Sequence, residues 1–161
     1  MAMNRTRSYP TLLALVGAGA LAVAYVAQYG FDLEPCVLCL YQRIPYALVA
    51  ILGFVAMMRP HLLTPVLVLA ALVFFAGASL AFYHVGVEQH WWASATGCSG
   101  GTLSSTVTPA DLMQSLSAPP PKPCDAVDWT VLGVSMAGWN VVFSLFATGA
   151  CVYALTRAKE S

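Results

Sequence analysis

The chain has 161 residues, of which 59% are hydrophobic and only 9% charged, against roughly 25% charged in a typical soluble domain. That imbalance argues against a soluble globular protein, and seven Lys/Arg balanced by seven Asp/Glu leave no basic field that could hold nucleic acid. Five cysteines in so apolar a chain are the second departure, and their places relative to the charges carry the argument.

A transmembrane helix needs roughly 20 apolar residues to cross a hydrocarbon core about 30 Å thick. Runs free of Asp, Glu, Lys and Arg extend over Ser8–Phe31, Ile44–Met58, Pro60–Val87 and Trp129–Thr156. They predict an all-α, four-helix membrane bundle forming a single domain over 1–161. Its helices are expected near 9–29, 36–58, 62–84 and 130–155, joined on one side by loops 30–35 and 85–129.

In the first run, Arg5 and Arg7 precede an apolar stretch that holds Ala22-Val23-Ala24, a pattern also found at signal-peptide cleavage sites. The uncharged length exceeds the usual h-region of about 7 to 15 residues, so the segment is expected to stay as a span. Ala14, Ala18 and Ala22 place small side chains at four-residue spacing, suited to close helix packing in lipid. The second run is too short by itself: from Ile44 to Met58 a helix rising 1.5 Å per residue covers only about 22 Å. This helix must therefore begin near Pro35–Cys39, which forces Arg43 into a span or to its edge.

Lys/Arg positions orient the four spans. Arg5, Arg7, Arg59, Arg157 and Lys159 fall on one side, while Arg43 and Lys122 fall on the other with Asp32, Glu34, Glu88, Asp111, Asp125 and Asp128. The positive-inside rule places both termini in the cytoplasm and both cysteine-bearing loops outside. The long outer loop contains Gly97, Gly100, Gly101 and Pro119-Pro120-Pro121-Lys122-Pro123 and is expected to be largely irregular. Thr108-Pro109 reads as an N-cap followed by proline at the first helical position. Leu112, Met113 and Leu116 then suggest a short amphipathic helix, either on the membrane surface or without membrane contact.

Cys36 and Cys39 form a C-x-x-C pair directly after Pro35. With Pro35 at the first helical position, both sulfurs would lie in the first turn, where free N–H groups and the helix dipole favour a thiolate. Arg43 follows Cys39 by four residues and falls one turn deeper on the same face. An intramembrane arginine is a functional candidate, although it can also snorkel to the interface. Cys98 and Cys124 lie in the outer loop and read either as a structural staple or as a disulfide able to exchange with the C-x-x-C pair. Four thiolates can bind zinc, but structural sites usually bring two close pairs and only one is close here, so no metal is expected. Cys151 reads as a small packing residue. His90, beside Trp91 and Trp92, reads as part of an interfacial aromatic belt, and His61 as a residue of the opposite loop. Electrons from thiol oxidation need an acceptor, and no haem or iron–sulfur ligand set is visible. At the bilayer edge a lipid-soluble quinone is the natural choice.

The segment Glu34-Pro35-Cys36-Val37-Leu38-Cys39-Leu40-Tyr41-Gln42-Arg43, then Tyr83-His84-Val85-Gly86-Val87-Glu88, then Cys124-Asp125 with Trp129, Gly133 and Ser135 resembles the disulfide bond formation protein B (DsbB) family of bacterial inner-membrane proteins. The resemblance implies a thiol:quinone oxidoreductase. A periplasmic dithiol oxidase of the DsbA type would attack the Cys98–Cys124 disulfide at Cys98, and Cys124 would then attack Cys36. Cys39 would leave as thiolate and pass electrons to ubiquinone or menaquinone, with Arg43 stabilising the charge and His84 near the same site. Without the resemblance, His84 reads first as an interfacial histidine hydrogen-bonding a helix end. A vitamin K epoxide reductase type of quinone enzyme is disfavoured, because its C-x-x-C would open a late helix and here it opens the second. A non-catalytic membrane scaffold with structural disulfides is the competing reading.

Overall fold

The computed structural model describes residues 2–96, 98, 113, 122–127 and 129–159, with backbone only for 2–7 and 158–159. Among the described residues five α-helices run in order: α1 (Ala2–Gly30), α2 (Val37–Tyr41), α3 (Arg43–Met58), α4 (Leu63–Glu88) and α5 (Met136–Lys159). Among the described residues four segments are long and apolar enough to cross a membrane: Ser8–Gly30, Val37–Met58, Pro60–Glu88 and Met136–Arg157. The fold is the expected four-helix bundle. The expected amphipathic helix near 109–116 lies outside the described residues except Met113, which is exposed.

The second span is broken between α2 and α3 at Gln42. Pro45 explains the break: it has no N–H for the carbonyl of Tyr41, and its ring crowds that carbonyl. At the other end Arg59 closes α3, and a single 3₁₀ turn, Pro60–Leu62, leads directly into α4. The fourth span begins at Met136 rather than near 130, because Thr130–Val131 and Val134–Ser135 pair as an antiparallel hairpin. Leu132 and Gly133 at its tip both have positive φ, 55° and 78°, the twist that a two-residue hairpin turn requires. Ser135 then caps α5 by accepting from the Gly138 N–H at 3.1 Å, and its hydroxyl donates to Glu88 Oε2 at 2.5 Å. This one residue ties the start of α5 to the end of α4.

Helix α1 packs along α3, α3 along α4, and α4 along α5. Lipid tails are as apolar as leucine, so burial in lipid gives helices little reason to associate, and close van der Waals packing must do it. Gly53 supplies that closeness: a Cβ there would stand 2.4 Å from the Ala14 nitrogen and 2.8 Å from the Pro10 carbonyl, and one on Gly17 would stand 2.5 Å from the Tyr46 carbonyl. The packing face of α1 is therefore Pro10, Leu13 and Gly17, all buried, while Ala18 and Ala22 of the expected alanine face point outward. Leu13, Val49, Leu67, Ala70, Phe74 and Cys151 belong to the central core. Outward faces are apolar, with Leu15, Ile51, Phe54, Leu72, Phe75 and Phe146 all exposed, as a lipid-facing surface demands.

Candidate functional site

Cys36, Leu38, Val87, Cys98 and Cys124 form a second buried cluster at the end of the bundle opposite the 3₁₀ turn, with Cys39 and Tyr83 packed against it. Both cysteine pairs are thus in one place. Cys98 and Cys124 are joined as a disulfide, whereas Cys36 and Cys39 are free thiols with sulfurs 2.8 Å apart. The loop disulfide, expected on an irregular segment, is buried: Cys98 is 8% exposed and Cys124 1%. The Cys124 N–H donates to the Cys98 carbonyl at 2.7 Å, and the Ser94 and Thr96 hydroxyls lie 3.0 and 2.9 Å from the Cys98 sulfur.

Cys36 is the N-cap of α2 rather than a residue of its first turn, so Pro35 precedes the cap instead of opening the helix. In that position its sulfur accepts the Cys39 N–H at 3.2 Å, the role an N-cap side chain plays for an otherwise unpaired donor. The hydrogen bond from the Cys39 side chain, followed by one from His84 and the Cys39 N–H, holds the Cys36 thiol down at about 4 against the opposing effect of burial. The thiolate expected at this mouth is therefore best supported at Cys36.

His84 is buried, and its Nε2 lies 3.6 Å from the Cys36 sulfur, 3.3 Å from the Cys124 carbonyl oxygen and 3.9 Å from Glu88. It thus touches both cysteine pairs. Its Nδ1 meets Gln42 Nε2 at 2.7 Å. Arg43 reaches α1: Nη1 donates to Gln28 Oε1 at 2.7 Å, and the guanidinium stacks 5.0 Å from the Tyr25 ring centre. Further along the wall, the Tyr46 hydroxyl donates to Asn140 Oδ1, and Asn140 Nδ2 donates to Gln42 Oε1.

Cys36, Cys39, Gln42, Arg43, Tyr46, His84 and Asn140 line a cavity of about 590 Å³ whose wall is mostly apolar, with Val16, Ala20 and Ala24 of α1 and Phe143 of α5 among its residues. The ligand atoms of Cys36, Cys39 and His84 lie within 4.8 Å of one another. Two thiolates on a tetrahedral zinc, each bonded at about 2.3 Å, stand roughly 3.8 Å apart, so a separation of 2.8 Å suits sulfur–sulfur chemistry better.

Residues 6–154 match the family described as disulfide bond formation protein DsbB. The chain belongs to the DsbB family. It is 31% identical to a disulfide bond formation protein B of Xanthomonas euvesicatoria, over 91% of this chain and 88% of the relative. Similar proteins of that name occur in Actinobacillus pleuropneumoniae, 31% identical over 100% of this chain and 91% of the relative, and in Hahella chejuensis, 29% identical over 96% and 94%. DsbB membership makes this chain a disulfide-forming oxidoreductase of the membrane, with the four-span bundle of that family.

Gln28, Gln42, Glu88 and Asn140 were not among the residues that sequence reasoning singled out as the site. A signal existed for two of them: Gln28 and Asn140 are amide side chains inside charge-free runs, and polar groups within a span tend to face the bundle interior. Gln42 and Glu88 lay inside the motif segments without an assigned role. What these four contact follows only from how α1, α4 and α5 come together at the junction of α2 and α3 and at the mouth of the bundle.

Proposed function

We propose that this protein reoxidises a periplasmic dithiol oxidase of the DsbA type and delivers the electrons to a membrane quinone. The observation that carries the reading is the single buried cluster that holds both cysteine pairs beside a largely apolar cavity. In this reading the protein sits in the bacterial inner membrane with both termini cytoplasmic and the cysteine loops periplasmic, supported by Arg5, Arg7, Arg59, Arg157 and Lys159 at one end of the spans.

The chemistry is a series of disulfide exchanges. A partner thiolate attacks the Cys98 sulfur, the Cys98–Cys124 bond breaks, and Cys124 leaves as thiolate; Cys98 is favoured as the target because it is the more exposed of the two, 8% against 1%. With Cys36 and Cys39 oxidised to a disulfide, Cys124 attacks Cys36 and Cys39 leaves as thiolate. The partner's second thiol then displaces Cys98, releasing the partner as a disulfide, and Cys98 attacks Cys124 to restore the loop bond and free Cys36. In sum, one partner dithiol becomes a disulfide while Cys36–Cys39 becomes a dithiol.

Ubiquinone or menaquinone, when bound, supplies an acceptor for two electrons and two protons. The cavity fits such a group: its wall is mostly apolar, it has room for a ring and the start of a tail, and Cys39, Arg43 and His84 line it. Arg43 and His84 would hold the head group there. The Arg43 charge is pre-oriented by Gln28 and Tyr25, so little rotamer freedom remains to be lost.

The test is turnover of the purified protein with reduced dithiol oxidase and a soluble quinone. Quinone consumption that disappears in Cys36→Ser and in Cys39→Ser is the expected result. Unchanged rates in both variants would refute the reading, as would thiol trapping that finds Cys36 and Cys39 equally oxidised in cells with and without a quinone pool, the behaviour of a structural scaffold.

A further inference from the structure

On the cavity wall His84, Gln42, Asn140 and Tyr46 form one continuous chain of hydrogen bonds, and its direction can be worked out from one end. His84 Nε2 faces the Cys124 carbonyl oxygen at 3.3 Å, the Cys36 sulfur at 3.6 Å and a Glu88 oxygen at 3.9 Å. A carbonyl oxygen can only accept, so the hydrogen of this imidazole belongs on Nε2. In the neutral ring Nδ1 then carries a lone pair, and its neighbour at 2.7 Å must donate to it. That neighbour is the NH₂ of Gln42, whose oxygen consequently turns the other way and accepts from Asn140 Nδ2. The Asn140 oxygen in turn accepts from the Tyr46 hydroxyl and, at 3.2 Å, from the Ser144 hydroxyl. Among the described residues no buried side-chain nitrogen or oxygen is left without a partner. The chain is therefore complete, and turning one amide over requires its neighbours to turn as well.

We propose that Asn140 is a positioning residue for the redox site: through Gln42 it holds His84 as the Nε2–H tautomer, with that N–H directed at the Cys36 sulfur and the Cys124 carbonyl. The two hydroxyls of Tyr46 and Ser144 secure the far end, because both can donate to the Asn140 oxygen. The catalytic consequence rests on the function proposed above, while the tautomer itself does not depend on it.

An isosteric change reverses the chain. In Asn140→Asp the ionised carboxylate can only accept, so Gln42 must turn its NH₂ toward residue 140 and its oxygen toward His84, and Nδ1 must then carry a hydrogen. Asn140→Leu removes the constraint without imposing the opposite one.

The experiment is ¹⁵N NMR of the full-length protein in lipid nanodiscs at neutral pH, labelled at its three histidines, with His84 identified by the signals lost in His84→Gln. The expected result is an unprotonated Nδ1 in the unaltered protein and a protonated Nδ1 in Asn140→Asp. Turnover with dithiol oxidase and quinone should fall on the order of tenfold in Asn140→Asp, less than the roughly 10²–10⁴-fold that an acid–base group contributes in full because His84 itself is retained, and less again in Asn140→Leu. If Asn140→Asp does not fold, Gln42→Glu repeats the test, since a carboxylate at 42 also requires a hydrogen on Nδ1. A protonated Nδ1 in the unaltered protein, or an unmoved Nδ1 in the folded variants, would overturn the assignment. A moved Nδ1 with unchanged turnover would overturn its catalytic part. Absence of any cysteine-dependent turnover would instead count against the proposed function and leave the tautomer result standing.

Discussion

Removing the Cys39 thiol should change how Cys36 reacts with pH, and the structure allows the size of the change to be bounded. Cys36 is lowered from an ordinary 9.0 to about 4, with the hydrogen bond from Cys39 the largest cause. In the reduced protein at pH 7 the thiolate should outnumber the thiol about a thousandfold, since each pH unit is a factor of ten. Low-pKa thiolates are also weaker nucleophiles: with a Brønsted slope of about 0.45, five units make each thiolate roughly 200-fold slower. Against a fully ordinary thiol the two effects nearly cancel at pH 7, whereas at pH 5 the lowered thiol reacts about 50 times faster and at pH 9 about 100 times slower. The assay is the rate of iodoacetamide modification of the Cys36 peptide, followed by mass spectrometry from pH 3 to 10. Cys39→Ala keeps the backbone N–H and the His84 contact, so its inflection should lie between about 4 and 9.0, with the rate at pH 5 clearly reduced. An inflection that stays near 4 in the variant would refute the reasoning. The sign for stability follows from the same shift. A lowered folded-state pKa contributes stability that is fully present above the unfolded value and is lost as pH falls through the folded one. The reduced protein should therefore lose this contribution between about pH 9 and pH 4 on acidification.

Three further outcomes are expected. Ser135→Ala removes the cap of α5 and the bond to Glu88; a lost cap costs about 1 kcal/mol, and thermal unfolding in detergent should show a lower midpoint. Gly53→Ala pushes a methyl group into the backbone of α1, 2.4 Å from the Ala14 nitrogen, so α1 must move away from α3, with a loss of about 1–3 kcal/mol or more visible as a lower unfolding midpoint. Arg43→Lys keeps the charge but gives up the planar stacking on Tyr25 and the fixed geometry toward Gln28; quinone KM should rise several-fold while modification of Cys36 by iodoacetamide at pH 5 stays the same.

The legible parts of this molecule were those that depend on short stretches of chain. Charge-free runs marked the four spans because a desolvated charge is expensive wherever the bundle places it. Pro45 and the Val131–Val134 turn were less visible, since a helix-breaking residue shows its effect only relative to where the helix begins. Of the small residues Ala14, Ala18 and Ala22, only Ala14 lies at the close approach of α1 to α3, while Ala18 and Ala22 point outward: small residues at helical spacing permit close approach, but Gly53 on the facing helix decides which of them is used.

For the site, the candidates legible in the sequence are the four cysteines and Arg43, because C-x-x-C and an arginine four residues beyond it are local patterns, and His84 through the segment that resembles the family. The sequence could not show that Cys98–Cys124 is buried against Cys36, that Arg43 is held by Gln28 and Tyr25, or that Gln42 links His84 to Asn140. Those contacts join residues 15 to 98 positions apart. Hydrogen bonds act over about 3 Å, so whether two such residues meet is decided by how the helices pack and not by the order in which they are strung.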